Sequence, residues 1–102
     1  MVVRSASPRN LRAAEALRGA VGLLAGGLEV CVVLVEDGAA AFTLAGGPQK
    51  ALSTLRALGA KVLVETESLS ARGLSAPDWI HSFGRAELPA LLGGCDAVEA
   101  WR

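Results

Sequence analysis

The stretch Lys61 to Leu74, KVLVETESLSARGL, decides how this chain is read. Lys61-Val62-Leu63-Val64 is a short apolar run, the pattern of a buried parallel strand. It breaks at Glu65 into a polar corner, Glu65-Thr66-Glu67-Ser68. It then continues as one helical turn, Leu69-Ser70-Ala71-Arg72, closed by Gly73, because glycine suits the left-handed residue that ends a helix. A strand that ends in a polar corner and feeds a helix is the unit of an open α/β sheet, and such sheets hold ligands outside the carboxyl ends of their strands. The corner carries two carboxylates and two hydroxyls, but no cysteine and no histidine.

Upstream, Leu28 to Val35 is the strongest strand in the chain, and its nearly continuous apolar run fits burial on both faces. Glu36-Asp37-Gly38 ends it with a turn. Met1 to Arg4 reads as a first short strand. Ser7-Pro8 looks like a helix entry, serine as N-cap and proline at the first helical position. Leu11, Ala14, Leu17, Val21 and Leu24 then form an apolar stripe, and Gly26-Gly27 stops the helix. Ala39 to Leu44 reads as a short helix. After Gly46-Gly47-Pro48, Gln49 to Leu58 is a helix expected to bury Ala51, Leu52, Leu55 and Leu58, with Gly59 closing it.

Downstream, Asp78 to Phe83 fits either a strand or a turn. Arg85 to Leu92 reads as a helix, with Pro89 tolerated near its first turn, and Asp96 to Trp101 as the last strand. Strands alternating with helices require crossovers and a parallel sheet covered on both faces. The expectation is one α/β domain over residues 1–102, a flavodoxin-like three-layer sandwich with a mostly parallel sheet of about five strands.

Composition narrows the function. The chain is 52% hydrophobic with no net charge, which argues against disorder and against a nucleic-acid or membrane surface as its main partner. No apolar run approaches the roughly 18 residues of a membrane span. Met1 runs into Val2-Val3-Arg4 without a signal-peptide core, so a cytoplasmic protein is expected. Arg4, Arg9, Arg12 and Arg18 read as a solvated face, since no aromatic residues interleave them.

In a parallel sheet the strand ends collect on one edge: Arg4-Ser5, Glu36-Asp37, Glu65-Thr66-Glu67 and Phe83-Gly84-Arg85. Arg4, Asp37, Glu65 and Thr66 are therefore the binding candidates. Asp37 and Glu65 could divide acid and base roles if burial separated their pKa values. They could instead form an acidic pocket for a small ligand. The carboxylate of Glu65 is expected to accept hydrogen bonds from free N–H groups at the start of the following turn, Ser68 to Arg72. His81 is the sole histidine, so no metal site is expected. Phosphate-loop patterns are absent and aromatics are few, so no cofactor is expected. Cys31, mid-strand among valines, reads as a buried small hydrophobe. Cys95 is the one candidate nucleophile, at a partly exposed strand entrance, although neighbouring Asp96 disfavours its thiolate. A disulfide between the two is not expected in a cytoplasmic protein.

The chain resembles the DsrE/DsrF/DsrH family of small sulfur-relay proteins, which includes the TusBCD subunits. The resemblance rests on Arg4-Ser5 after the first strand, Ala13 to Arg18 in the first helix, and Glu36-Asp37-Gly38 after Val30–Val35. It extends through Lys61–Val64, Ser68-Leu69-Ser70-Ala71-Arg72-Gly73-Leu74 and Asp96-Ala97-Val98. It implies a flavodoxin-like fold, a cytoplasmic location, and assembly as a trimer or hexamer, with itself or with related subunits. It also implies a sulfur-carrier protein as partner. Sulfur-carrying members hold a persulfide cysteine at the end of the third strand, where this chain has Glu65. A carboxylate cannot form a persulfide. The resemblance therefore points to a binding or assembly member rather than an enzyme, with a sulfurtransferase using Cys95 as the alternative.

Overall fold

A computed structural model describes residues 2–6, 13–43 and 47–102, and the side chains of residues 18–36, 38–40 and 49–102. The strands are β1 (Val2–Ala6), β2 (Val30–Leu34), β3 (Lys61–Glu65), β4 (His81–Phe83) and β5 (Ala97–Trp101). The helices are α1 (Ala13–Ala25), α2 (Gly47–Ala57), α3 (Thr66–Ala71) and α4 (Leu88–Leu92). Two 3-10 segments, Glu36–Thr43 and Arg85–Glu87, precede α2 and α4.

The sheet order is β1-β5-β2-β3-β4, and every neighbouring pair is parallel. This is a flavodoxin-type order in which the last strand of the chain occupies the place of the first. The expected α/β sandwich is therefore present, and the topology explains its layers. The crossovers β1–α1–β2, β2–α2–β3 and β3–α3–β4 all step in one direction, so a common right hand puts their helices on one face. The return crossover β4–α4–β5 steps back and puts α4 on the other.

Packing follows that division. Val30, Val32, Leu34, Val62 and Val64 meet Ala20, Leu52, Leu55 and Leu69 beneath α1, α2 and α3. Cys31, Val33, Leu63, Phe83 and Val98 meet Leu88, Leu91 and Leu92 of α4. The alternation along β2 is why its sequence is apolar throughout. No helix among the described residues is long and apolar enough to cross a membrane.

Several local expectations need correction. Helix α3 starts at Thr66, directly after β3, so the polar corner is already helical. Where a helix over Ala39–Leu44 was expected, the described residues form the 3-10 segment Glu36–Thr43, Leu44 lying outside them, and Arg85–Glu87 is 3-10 as well. The ambiguous Asp78–Phe83 stretch resolves as a turn followed by the three-residue β4. Leu58 is 49% exposed. It lies one residue past α2, in the turn that Gly59 completes with φ of 95°, and so leaves the buried stripe. The Ser7-Pro8 helix entry, Arg9 and Leu11 lie outside the described residues.

The largest departure is a disulfide between Cys31 and Cys95. Their Cα atoms stand 6.1 Å apart, within the range a disulfide bridges. Cys95 was expected to be partly exposed, yet it is buried beneath α4. The sequence separation of 64 hid the pairing, which arises because β5 inserts beside β2 and sets Cys31 opposite Val98.

Candidate functional site

The carboxyl ends of β2, β3 and β4 lie side by side, and Glu65 is the residue around which their polar groups gather. It ends β3 in register with Phe83 of β4, and only 5% of it is exposed. A buried carboxylate is costly without partners. Glu65 has three donors. Arg85 donates from Nε to Oε2 at 3.0 Å and from Nη2 to Oε1 at 2.8 Å. The Ser68 hydroxyl donates to Oε1 at 2.6 Å. The two-pronged arginine contact is the strong, orientation-specific form of an ion pair.

The frame around this pair is also hydrogen-bonded. Ser68, itself buried, accepts the backbone N–H of Glu36 at 2.8 Å, tying the end of β2 to α3. Glu36 has φ of 52°, a left-handed backbone uncommon outside glycine, as the chain turns from β2 into the 3-10 segment. Both carboxylate oxygens of Glu67 accept the backbone N–H of Arg85, at 3.2 and 3.1 Å. Glu87 reaches back to the N–H of Gly84 at 3.1 Å, fixing the turn that presents Arg85.

The electrostatics follow from this geometry. The Arg85 hydrogen bonds hold the Glu65 carboxyl below its ordinary pKa. Burial pushes in the opposite direction and is outweighed, while Ser68 and the Arg85 charge add to the lowering. The Arg85 guanidinium is held above its ordinary value by its bonds to Glu65, and further by Glu67 and Glu36. Glu65 is thus a fixed anion with both oxygens engaged. It is a poor proton acceptor at neutral pH and carries no proton to give, so the acid–base division with Asp37 fails on its Glu65 half.

The cap expected of Glu65 is also absent. Glu65 occupies the N-cap position of α3, but its side chain bonds to no backbone N–H there, because Arg85 and Ser68 have taken it. Thr66, the first residue of α3, is exposed. The side chains of Arg4 and Asp37 lie outside the described residues. Backbone register still places Arg4 opposite Glu99 of β5. Two strands separate β1 from β3, a span of about 14 Å at ordinary strand spacing. The cation at Glu65 is therefore Arg85, not Arg4.

Arg85 and Ser68 were not among the candidates. Their signal was available in principle: an arginine follows the strand that neighbours β3, and a hydroxyl sits three residues after Glu65, one turn along the helix. Cys95, the candidate nucleophile, is disulfide-bonded on the opposite face of the sheet, beneath α4. It presents no free thiol.

No protein-family model matches the chain. No curated protein matches it either. Among solved structures it is similar to the ychN protein from E. coli, with a TM-score of 0.74 over 97% of this chain and 95% of that one, at 21% sequence identity. At that identity the likeness establishes a shared fold across nearly the whole length of both chains.

Proposed function

We propose that this chain is a DsrE/F-like binding or assembly subunit of an intracellular sulfur-transfer complex, and that it does not itself carry the sulfur. The observation that supports this reading most is the state of Glu65. The position that aligns with the persulfide cysteine holds a buried carboxylate bonded by Arg85 and Ser68. Such an anion keeps the strand-end corner shaped while offering no nucleophilic sulfur. The shared fold with the ychN protein is consistent with the reading.

The subunit associates with itself or with related subunits, as a trimer or hexamer, and its partner is a sulfur-carrier protein. Incubation with a persulfide donor followed by intact mass measurement tests the non-carrier role. The mass should stay unchanged, and a gain of sulfur would defeat that role. Light scattering at micromolar concentration tests assembly, and a clean monomer mass in the presence of related subunits would defeat it.

A further inference from the structure

The two faces of the sheet are covered unequally. One lies beneath α1, α2 and α3. Among the described residues the other is covered by α4, five residues long, through Leu88, Leu91 and Leu92. A helix that short has no stability of its own and holds its shape only through packing and tethers. It begins at a 3-10 segment held by the hydrogen bonds of Gly84 and Arg85, and its other flank is the glycine pair Gly93-Gly94. Beside it lies a hollow of about 210 Å³, lined by Val33, Val98 and Ala100 from the sheet and by Leu88 and Leu92 from α4.

The covalent tether of this cover is the disulfide. Cys31 is fixed in β2, at the centre of the sheet, and is 1% exposed. Cys95 lies three residues past α4, between Gly93-Gly94 and β5, where its N–H donates to the Leu92 carbonyl at 3.0 Å. The bond therefore joins the central strand to the turn that follows the shortest α-helix of the described residues. Cys95 is 7% exposed, and the exposed Gly94 before it presents no side chain, so Cys95 offers the more approachable sulfur.

The geometry points to a redox latch: the Cys31–Cys95 disulfide clamps α4 over the apolar face of the sheet, and its reduction by a dithiol releases that cover. A thiolate of the dithiol attacks the Cys95 sulfur, breaking the Cys31–Cys95 bond and forming a mixed disulfide. Cys31 leaves and takes a proton. The second thiol of the reductant then attacks its own sulfur in the mixed disulfide and frees Cys95, which also takes a proton. The protein gains two electrons and two protons, and the dithiol is oxidised to its disulfide. The released state exposes the surface around Val33, Leu63 and Val98.

Hydrogen exchange on the full chain, with and without dithiothreitol, tests the latch. Reduction, verified by a mass gain of two hydrogens, should speed amide exchange over residues 88–95 at least about tenfold more than it speeds exchange in β3 and α2, which share only the loss of global stability. Reoxidation should restore protection. The double variant Cys31→Ala, Cys95→Ala should show the released pattern without reductant. Should that variant fail to fold, the reduced wild-type chain decides alone. Unchanged exchange over 88–95 in the reduced protein would overturn the latch. So would equal acceleration across the whole chain, which is general destabilisation. A disulfide that the dithiol cannot reduce without unfolding the protein would overturn it too.

Discussion

Arg85 holds Glu65 with two nearly parallel hydrogen bonds, Nε to Oε2 at 3.0 Å and Nη2 to Oε1 at 2.8 Å, across 20 residues of sequence. The partners are unequally placed: the Glu65 side chain is 6% exposed and that of Arg85 69%. Truncating Arg85 would leave a buried carboxylate with only the Ser68 hydroxyl, whereas truncating Glu65 would release an arginine into water. Arg85→Ala is therefore expected to destabilise the fold more than the double variant Glu65→Gln, Arg85→Ala does. Urea midpoints of the three proteins check the ordering.

The pH dependence of the pair has a definite sign. The folded pKa of Glu65 lies below its ordinary value of 4.5, so between the two values the unfolded chain binds more protons and stability rises with pH. The contribution is full above the ordinary value and is lost as pH falls through the depressed folded value. Stability of the wild type relative to Glu65→Gln should be flat from neutral pH down to about 4.5 and shrink below it. Denaturation series from pH 7 to pH 2 measure this, and a gap that instead changed between pH 5 and 7 would assign the titration to another group.

Ser68 is the hinge between two strand ends, accepting from Glu36 N–H and donating to Glu65. Ser68→Ala deletes both bonds and leaves that N–H without its acceptor, at a cost of about 1–2 kcal/mol. Ser68→Thr keeps the hydroxyl and should recover part of the loss, which thermal melts of the two variants compare.

Much of the fold was legible because its signals are local. The apolar runs at Val30–Val35 and Lys61–Val64, bounded by turn residues, mark the buried strands directly, and the alternation of strand and helix requires a parallel sheet. The strand ends were correctly collected on one edge, with Glu65 among them. The partners of Glu65 were not legible in the same way. Arg85 becomes adjacent only once β4 is known to pair with β3, and the sequence left Asp78–Phe83 undecided. The disulfide was hidden for a similar reason. Cys31 and Cys95 meet only because the last strand inserts beside β2, an insertion no local pattern records. Cap chemistry misled as well: Glu65 occupies an N-cap position, but a stronger cation claims its carboxylate.

The disulfide closes a loop across 64 positions. Restricting an unfolded chain over that length corresponds to about 4 kcal/mol in the loop-entropy description. The urea midpoint of the oxidised protein should exceed that of the reduced protein accordingly. Parallel unfolding curves with and without reductant give the difference, and coincident curves would mean that the bond contributes no net stability.

The last prediction concerns the corner as an anion site. It now stabilises a carboxylate through a guanidinium and a hydroxyl, and the same donors would stabilise a thiolate in its place. Glu65→Cys shortens the side chain but keeps its place at the end of β3, facing Arg85. A positive charge beside a thiol lowers its pKa, so the introduced cysteine should titrate clearly below the ordinary ~8.5. Alkylation rates with a thiol reagent across pH report the value, because Cys31 and Cys95 are bonded to each other under non-reducing conditions. The double variant Glu65→Cys, Arg85→Ala supplies the control: its thiol should return toward the ordinary value if the guanidinium is the cause. A single variant that titrates at or above ~8.5 would show that the corner is specific to the carboxylate rather than to negative charge. The proposed reading of this corner as the counterpart of a persulfide site would then carry no chemical continuity.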